Sequence, residues 1–191
     1  MAGSRAGEDV LRATPGLRAR AAADALGDEV LTAWCADLLA GRAVWGDPAL
    51  PDVGWVGGRA ATGWGSPERL DEHTRYWSRV WAARTLLHVW SDRCEAQVVA
   101  ALADPAWRVR EMCAKVSTRW EVGPAADRCA ELVSADDVPR VRAAAARAIG
   151  AVGEAEHAAA LHDALDDPDV AVRSAAVRAL GVLARRLDRD L

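Results

Sequence analysis

The chain has 191 residues, a formal charge of −4, 51% hydrophobic residues, and 9 tryptophans with no phenylalanine. This length holds either one core or an elongated array of helical hairpins, and the acidic balance argues against a partner recognised by net positive charge, such as nucleic acid. No apolar stretch approaches a membrane span and no leader-like run opens the chain, so no membrane role and a soluble, cytoplasmic protein are expected.

In chain order, Pro15 to Leu26 and Asp28 to Ala40 read as an alanine-rich helical hairpin jointed at Gly27, forming an N-terminal cap over residues 1–40. Residues 41–66 follow as a loop rich in glycine, with Pro48, Pro51, Trp45, Trp55 and Trp64. Indole is costly to leave in water, so this segment is expected to fold back and cover an open end or groove. Residues 67–191 are expected to be helical repeats, continuous with the cap as one domain. A helix is expected from Arg75 to Trp90, with Val80, Ala83, Leu87 and Trp90 buried, and another from Cys94 to Ala103. Asp104-Pro105 supplies a capping acceptor and a proline to start the next helix, which Gly123-Pro124 ends near Trp120. Helices are then expected over Ala125 to Ser134, Val138 to Val152 (closed by Gly153), Ala155 to Leu165, and from Asp167-Pro168 to about Leu187.

Within this stretch one pattern is written three times: Asp104-Pro105-Ala106-Trp107-Arg108-Val109-Arg110, Asp136-Asp137-Val138-Pro139-Arg140-Val141-Arg142, and Asp167-Pro168-Asp169-Val170-Ala171-Val172-Arg173. The Val-Arg pairs recur 32 and then 31 residues apart. Each valine begins a stripe at i, i+4, i+7 and i+11, as in Val141, Ala145, Ala148 and Val152. Repetition at such a period marks units that bury a face only by stacking on their neighbours.

These turns, with the endings Ala148-Ile149-Gly150 and Ala179-Leu180-Gly181, resemble the short bacterial HEAT-like repeat from about Tyr76 to Leu187. The resemblance implies an all-α fold, a right-handed α-solenoid of helical hairpins carrying the Trp/Gly-rich insertion near its N-terminus. It also implies a ladder between adjacent repeats, making Asp104, Asp136 and Asp167 with Arg110, Arg142 and Arg173 structural residues. The second helix of each hairpin would line the concave surface.

Catalytic and metal signatures are missing from the sequence. There is no HExxH, GxSxG or P-loop, the histidines stand alone as surface or half-buried residues, and Cys35, Cys94, Cys113 and Cys129 lack zinc spacing. No catalytic residue, metal or cofactor is expected, and the cysteines read as small buried hydrophobes of a reducing compartment. A basic row is the feature above background. At about 100° per residue, positions one before and six after each stripe valine fall together, away from the core. They hold Arg108 and Lys115, Arg140 and Arg147, then Ala171 and Arg178, with Arg119 close to the same line and Glu111 the main acidic intruder. Trp77, Trp81 and Trp107 add aromatic surface suited to stacking and cation–π contact. The expected function is a non-enzymatic binding or scaffold module whose basic concave face holds an acidic peptide or protein. The alternative is a nucleic-acid-binding protein, or an alkylated-base DNA glycosylase using Glu111 as its carboxylate.

Overall fold

The computed structural model describes residues 5–43, 47, 49–63 and 74–189, and every regular element among them is helical. The helices are α1 (Glu8–Arg12), α2 (Pro15–Leu26), α3 (Asp28–Leu39), α4 (Gly54–Gly57), α5 (Arg59–Gly63), α6 (Trp77–Leu86), α7 (Glu95–Ala101), α8 (Trp107–Trp120), α9 (Ala126–Ala135), α10 (Pro139–Val152), α11 (Ala158–Asp163) and α12 (Val170–Leu187). Packing groups them into two units, Met1–Val98 and Val99–Leu191, divided inside α7.

In the first unit, Pro15 opens α2 and Gly27, at φ 86°, joins α2 to α3 in a conformation that glycine adopts without strain. The Gly/Trp-rich segment is less open than its composition suggests: α4 and α5 form within it, and α4 packs on α1, α2 and α6. Trp55 and Val56 are buried, and Gly57 lies so close to Trp81 that a Cβ there would sit 2.6 Å from the indole. Arg18 is buried beside them, donating to the Val56 carbonyl at 3.3 Å and the Ala13 carbonyl at 2.8 Å. Trp45 and Trp64 lie outside the described residues. The helix expected over Arg75 to Trp90 ends at Leu86, so Leu87 and Trp90 are half-buried rather than core. Trp90 instead donates its Nε1 proton to Asp92 at 2.9 Å.

The second unit is a stack of helical hairpins. α10 sits between α8 and α12 in one layer, while α9 packs on α10 and α11 on α12. Pro139 starts α10, one residue after the expected Val138, which is its N-cap, and Gly153 ends it as expected. Its Ala144, Ala145, Ala146 and Ala148 are at most 1% exposed, which lets neighbouring backbones approach closely. Ile149, Leu161 and Leu183 are fully buried, each stabilising the fold by about 1.5–3 kcal/mol. The Asp-Pro turns behave differently from the expectation. α8 starts at Trp107, not at Pro105, because the Asp104 carboxylate accepts the Ala106 N–H at 2.8 Å in a turn ahead of the helix. In the last turn Asp169, not Asp167, caps the helix by accepting from Ala171 and Val172. Trp120, the last residue of α8, is half-buried. His157 is buried, with Nδ1 accepting the Glu154 N–H at 2.9 Å and Nε2 3.0 Å from Asp127 Oδ1, so it closes a helix start.

Candidate functional site: the α8–α10 basic cluster

The repeat turns position the site. Asp136 Oδ1 accepts the Val138 N–H at 2.9 Å, which fixes the turn before α10. Arg110, one turn into α8, donates through Nε and Nη2 to both oxygens of Asp136 at 2.6 and 3.0 Å, and through Nη1 to the Asp104 carbonyl at 2.8 Å. Arg142 repeats this on Asp167 at 2.7 and 2.9 Å, and on the Asp136 carbonyl at 2.8 Å. Both carboxylates are largely buried, so the paired fork satisfies charges that would otherwise be costly to desolvate. Arg142 holds the Asp167 carboxyl below its ordinary value. Arg173 occupies the third position and donates to its own turn carbonyls, Asp167 at 2.7 Å and Pro168 at 3.0 Å. The rungs bring the starts of α8 and α10 together.

At that junction two guanidinium groups lie over the Trp107 ring, Arg108 at 4.3 Å and Arg140 at 5.5 Å from its centroid. Arg140 also reaches Glu111 Oε1 at 3.2 Å, and Lys115 donates to the same oxygen at 2.7 Å. Glu111, the acidic residue within the basic row, has a side chain only 8% exposed that joins α8 to α10, whereas Arg140 is 68% and Lys115 41% exposed. Two expected row members are thus partly neutralised, while Trp107, Arg108, Lys115 and Arg140 form one cluster with Glu111 beneath. The angular positions along one helix hold no information on what the next helix brings, so this hub has no signal in the sequence of α8 alone.

Other members of the row stand apart from the hub. Arg119 is exposed with its guanidinium 5.5 Å from the Trp120 ring; Arg147 is exposed and donates to the Ala143 carbonyl at 3.1 Å; Arg178 is exposed on α12. Trp77 and Trp81 belong to the first unit, 6.1 Å apart, with Tyr76 stacked on Trp77 at 5.4 Å. Trp81 is 3% exposed against Gly57, so it fills the core instead of offering a recognition surface. A cleft in the first unit that sequence reasoning missed is lined by Thr32, Asp37, Arg42, Arg93 and Gln97, and the Gln97 Oε1 is buried without a hydrogen-bond partner. Among the described residues no group of three or more His, Cys, Asp or Glu is arranged to hold a metal ion.

The Asp–Arg rungs and stacked hairpins of the second unit coincide with a family match over residues 125–190 to HEAT repeats. This part of the chain is built of HEAT repeats. A search of the curated proteins returns no match. Among solved structures, the chain is similar to human deoxyhypusine hydroxylase in complex with glycerol: 23% identity, TM-score 0.52, covering 93% of this chain and 72% of that one. At that identity the likeness is one of fold. The family match over residues 125–190 and the stacked hairpins of the second unit agree on an all-α repeat fold there, and no described helix is long and apolar enough to cross a membrane.

Proposed function

We propose that this HEAT-repeat protein is a cytoplasmic interaction module that holds an acidic peptide or an acidic protein segment on the α8–α10–α12 face. The observation that carries this reading is Trp107 flanked by Arg108 and Arg140, with exposed Arg147 and Arg178 continuing the positive register on the next two inner helices. An indole with two guanidinium groups beside it offers a carboxylate-bearing chain both an apolar platform and a paired cation. A local positive surface attracts anions even on a chain of net charge −4. The four buried free cysteines support a reducing compartment.

The protein reading is preferred to the DNA glycosylase because Glu111 Oε1 already takes Lys115 and Arg140 and serves as a bridge between helices. The likeness to human deoxyhypusine hydroxylase brings no activity here, since it rests on fold. The test is fluorescence anisotropy of a labelled Glu/Asp-rich peptide, with duplex DNA as competitor, at low and near-physiological salt. We expect peptide binding that drops about tenfold or more in the combined variant Arg108→Glu, Arg147→Glu, Arg178→Glu. Equal binding by that variant refutes the site. Tight DNA binding with a steep salt slope, or base release from alkylated DNA that vanishes in Glu111→Gln, replaces the reading with the nucleic-acid one.

A further inference from the structure

The face that α12 turns away from α10 is the face by which α10 holds α12. On α10 that face is fully used: Arg142 grips Asp167, Ala146 and Ile149 are 0% exposed, and a Cβ on Gly150 would sit 3.0 Å from the Ala179 Cα. One repeat later the same register reads Arg173, Val177, Leu180 and Gly181. Here Arg173 spends Nη1 on its own turn, and its Nε and Nη2 donate to no acceptor among the described residues. Val177 is 61% exposed, and Val170 on the same side is 66% exposed. Around Gly181 the nearest neighbour is the Arg185 side chain at 3.5 Å. Apolar side chains and a guanidinium fork stand ready for a neighbour that the described residues do not supply.

The spacing of this face says what fits it. Val170, Arg173, Val177, Leu180, Ala184 and Leu187 step by three and four, the interval of a helix–helix seam. Asp188, at the helix end, is exposed and carries the opposite charge to Arg173. Run against itself in reverse, the seam is self-complementary. With Leu180 opposite Gly181 of a second copy, Val177 meets Ala184 and Arg173 meets Asp188. A parallel arrangement would instead set Arg173 beside Arg173. The antiparallel one also brings each guanidinium to the negative end of the other helix.

We infer that α12 is a homodimer seam, in which two copies of this chain pack their α12 helices antiparallel about a two-fold axis and exchange Arg173–Asp188 ion pairs. The symmetry makes every contact twice. One helix pair is a small interface by the standards of stable complexes, so association depends on concentration. This surface is separate from the α8–α10 cluster, and its test does not depend on peptide binding.

Sedimentation equilibrium of the full chain, from about 1 to about 500 μM, measures it directly. We expect the mass to rise from monomer toward dimer across that range. Arg173→Asp and Val177→Glu should each weaken association by about tenfold or more, and Arg173→Asp combined with Asp188→Arg should regain most of it. A chain that stays monomeric at the highest concentration overturns the inference. So does a dimer that withstands both single changes, or a charge swap no better than Arg173→Asp alone. Circular dichroism of each variant checks that the last repeat is folded. Where Arg173→Asp disturbs it through the Asp167 turn, the outcome for Val177→Glu decides.

Discussion

Arg142 and Asp167 meet through two parallel hydrogen bonds, Nε to Oδ2 at 2.7 Å and Nη2 to Oδ1 at 2.9 Å, while Asp167 Oδ1 also accepts the Asp169 N–H at 2.8 Å. One carboxylate therefore shapes its own turn and ties the preceding helix to it. The hydrogen bond from Arg142 holds the folded Asp167 pKa below its unfolded value. For a depressed carboxyl, the stabilisation is present above the unfolded pKa of about 3.9 and is lost as pH falls through the folded value. Asp167→Asn should lower stability near neutral pH by about 2–4 kcal/mol, as one partner of a largely buried pair is removed. Urea midpoints taken from neutral to acid pH should show a shallower acid decline in the variant; an unchanged decline would mean the rung contributes nothing.

Two glycines in the same register should respond to alanine with opposite sign. A Cβ at Gly150 meets the backbone of Ala179 at 3.0 Å, so Gly150→Ala must push α12 away, with an overpacking cost of about 1–3 kcal/mol. Gly181 faces open space apart from Arg185, so Gly181→Ala should gain about 0.5–1 kcal/mol from helix propensity. Thermal unfolding of dilute samples of both variants reads the difference, and a stabilising Gly150→Ala would show the α10–α12 contact is looser than described.

Glu111 links stability to the charge of the face. Glu111→Ala leaves Lys115 and Arg140 without their shared carboxylate and should cost about 1–3 kcal/mol in urea unfolding, discounted for the exposure of both cations. The same change should tighten binding of a Glu/Asp-rich peptide, since two cations are released. Loss of peptide affinity in a folded Glu111→Ala protein would place Glu111 among the binding groups.

All four cysteines are free and buried. Burial pushes the Cys94 thiol up to about 11 and Cys129 to about 12, and raises Cys35 and Cys113 further still. Thiolate is the reactive form, so an aromatic disulfide reagent near pH 8 should label the native protein only at the rate of opening, and label all four promptly in denaturant. A thiol that reacts within seconds in the native state would identify an exposed cysteine.

What was legible in the sequence follows from what a single chain segment encodes. Gly153 closes α10 as expected, and the helix starts at Pro139, one residue after the expected Val138, because both residues act through local backbone geometry. Both helices that follow an Asp-Pro turn begin two residues later than expected, since Asp104 spends its carboxylate on the Ala106 N–H, and Asp167 on the Asp169 N–H and on Arg142, before the helix begins. Helices α4 and α5 escaped notice because Gly54, Gly57, Gly58 and Gly63 suppress the local signal, while burial of Trp55 against neighbouring helices supplies what propensity does not. The Glu111 bridge and the buried place of Trp81 depend on which helix lies opposite, a relation that no periodicity records.

Lys115 is the sole lysine of a chain with 24 basic residues. Its ε-amino group is therefore the one side-chain address for acylating dyes, cross-linkers and amine-directed modification, and it sits 2.7 Å from Glu111 on the α8 face. A reporter attached there marks a single defined spot, and its reaction rate follows whether the carboxylate below is held or free.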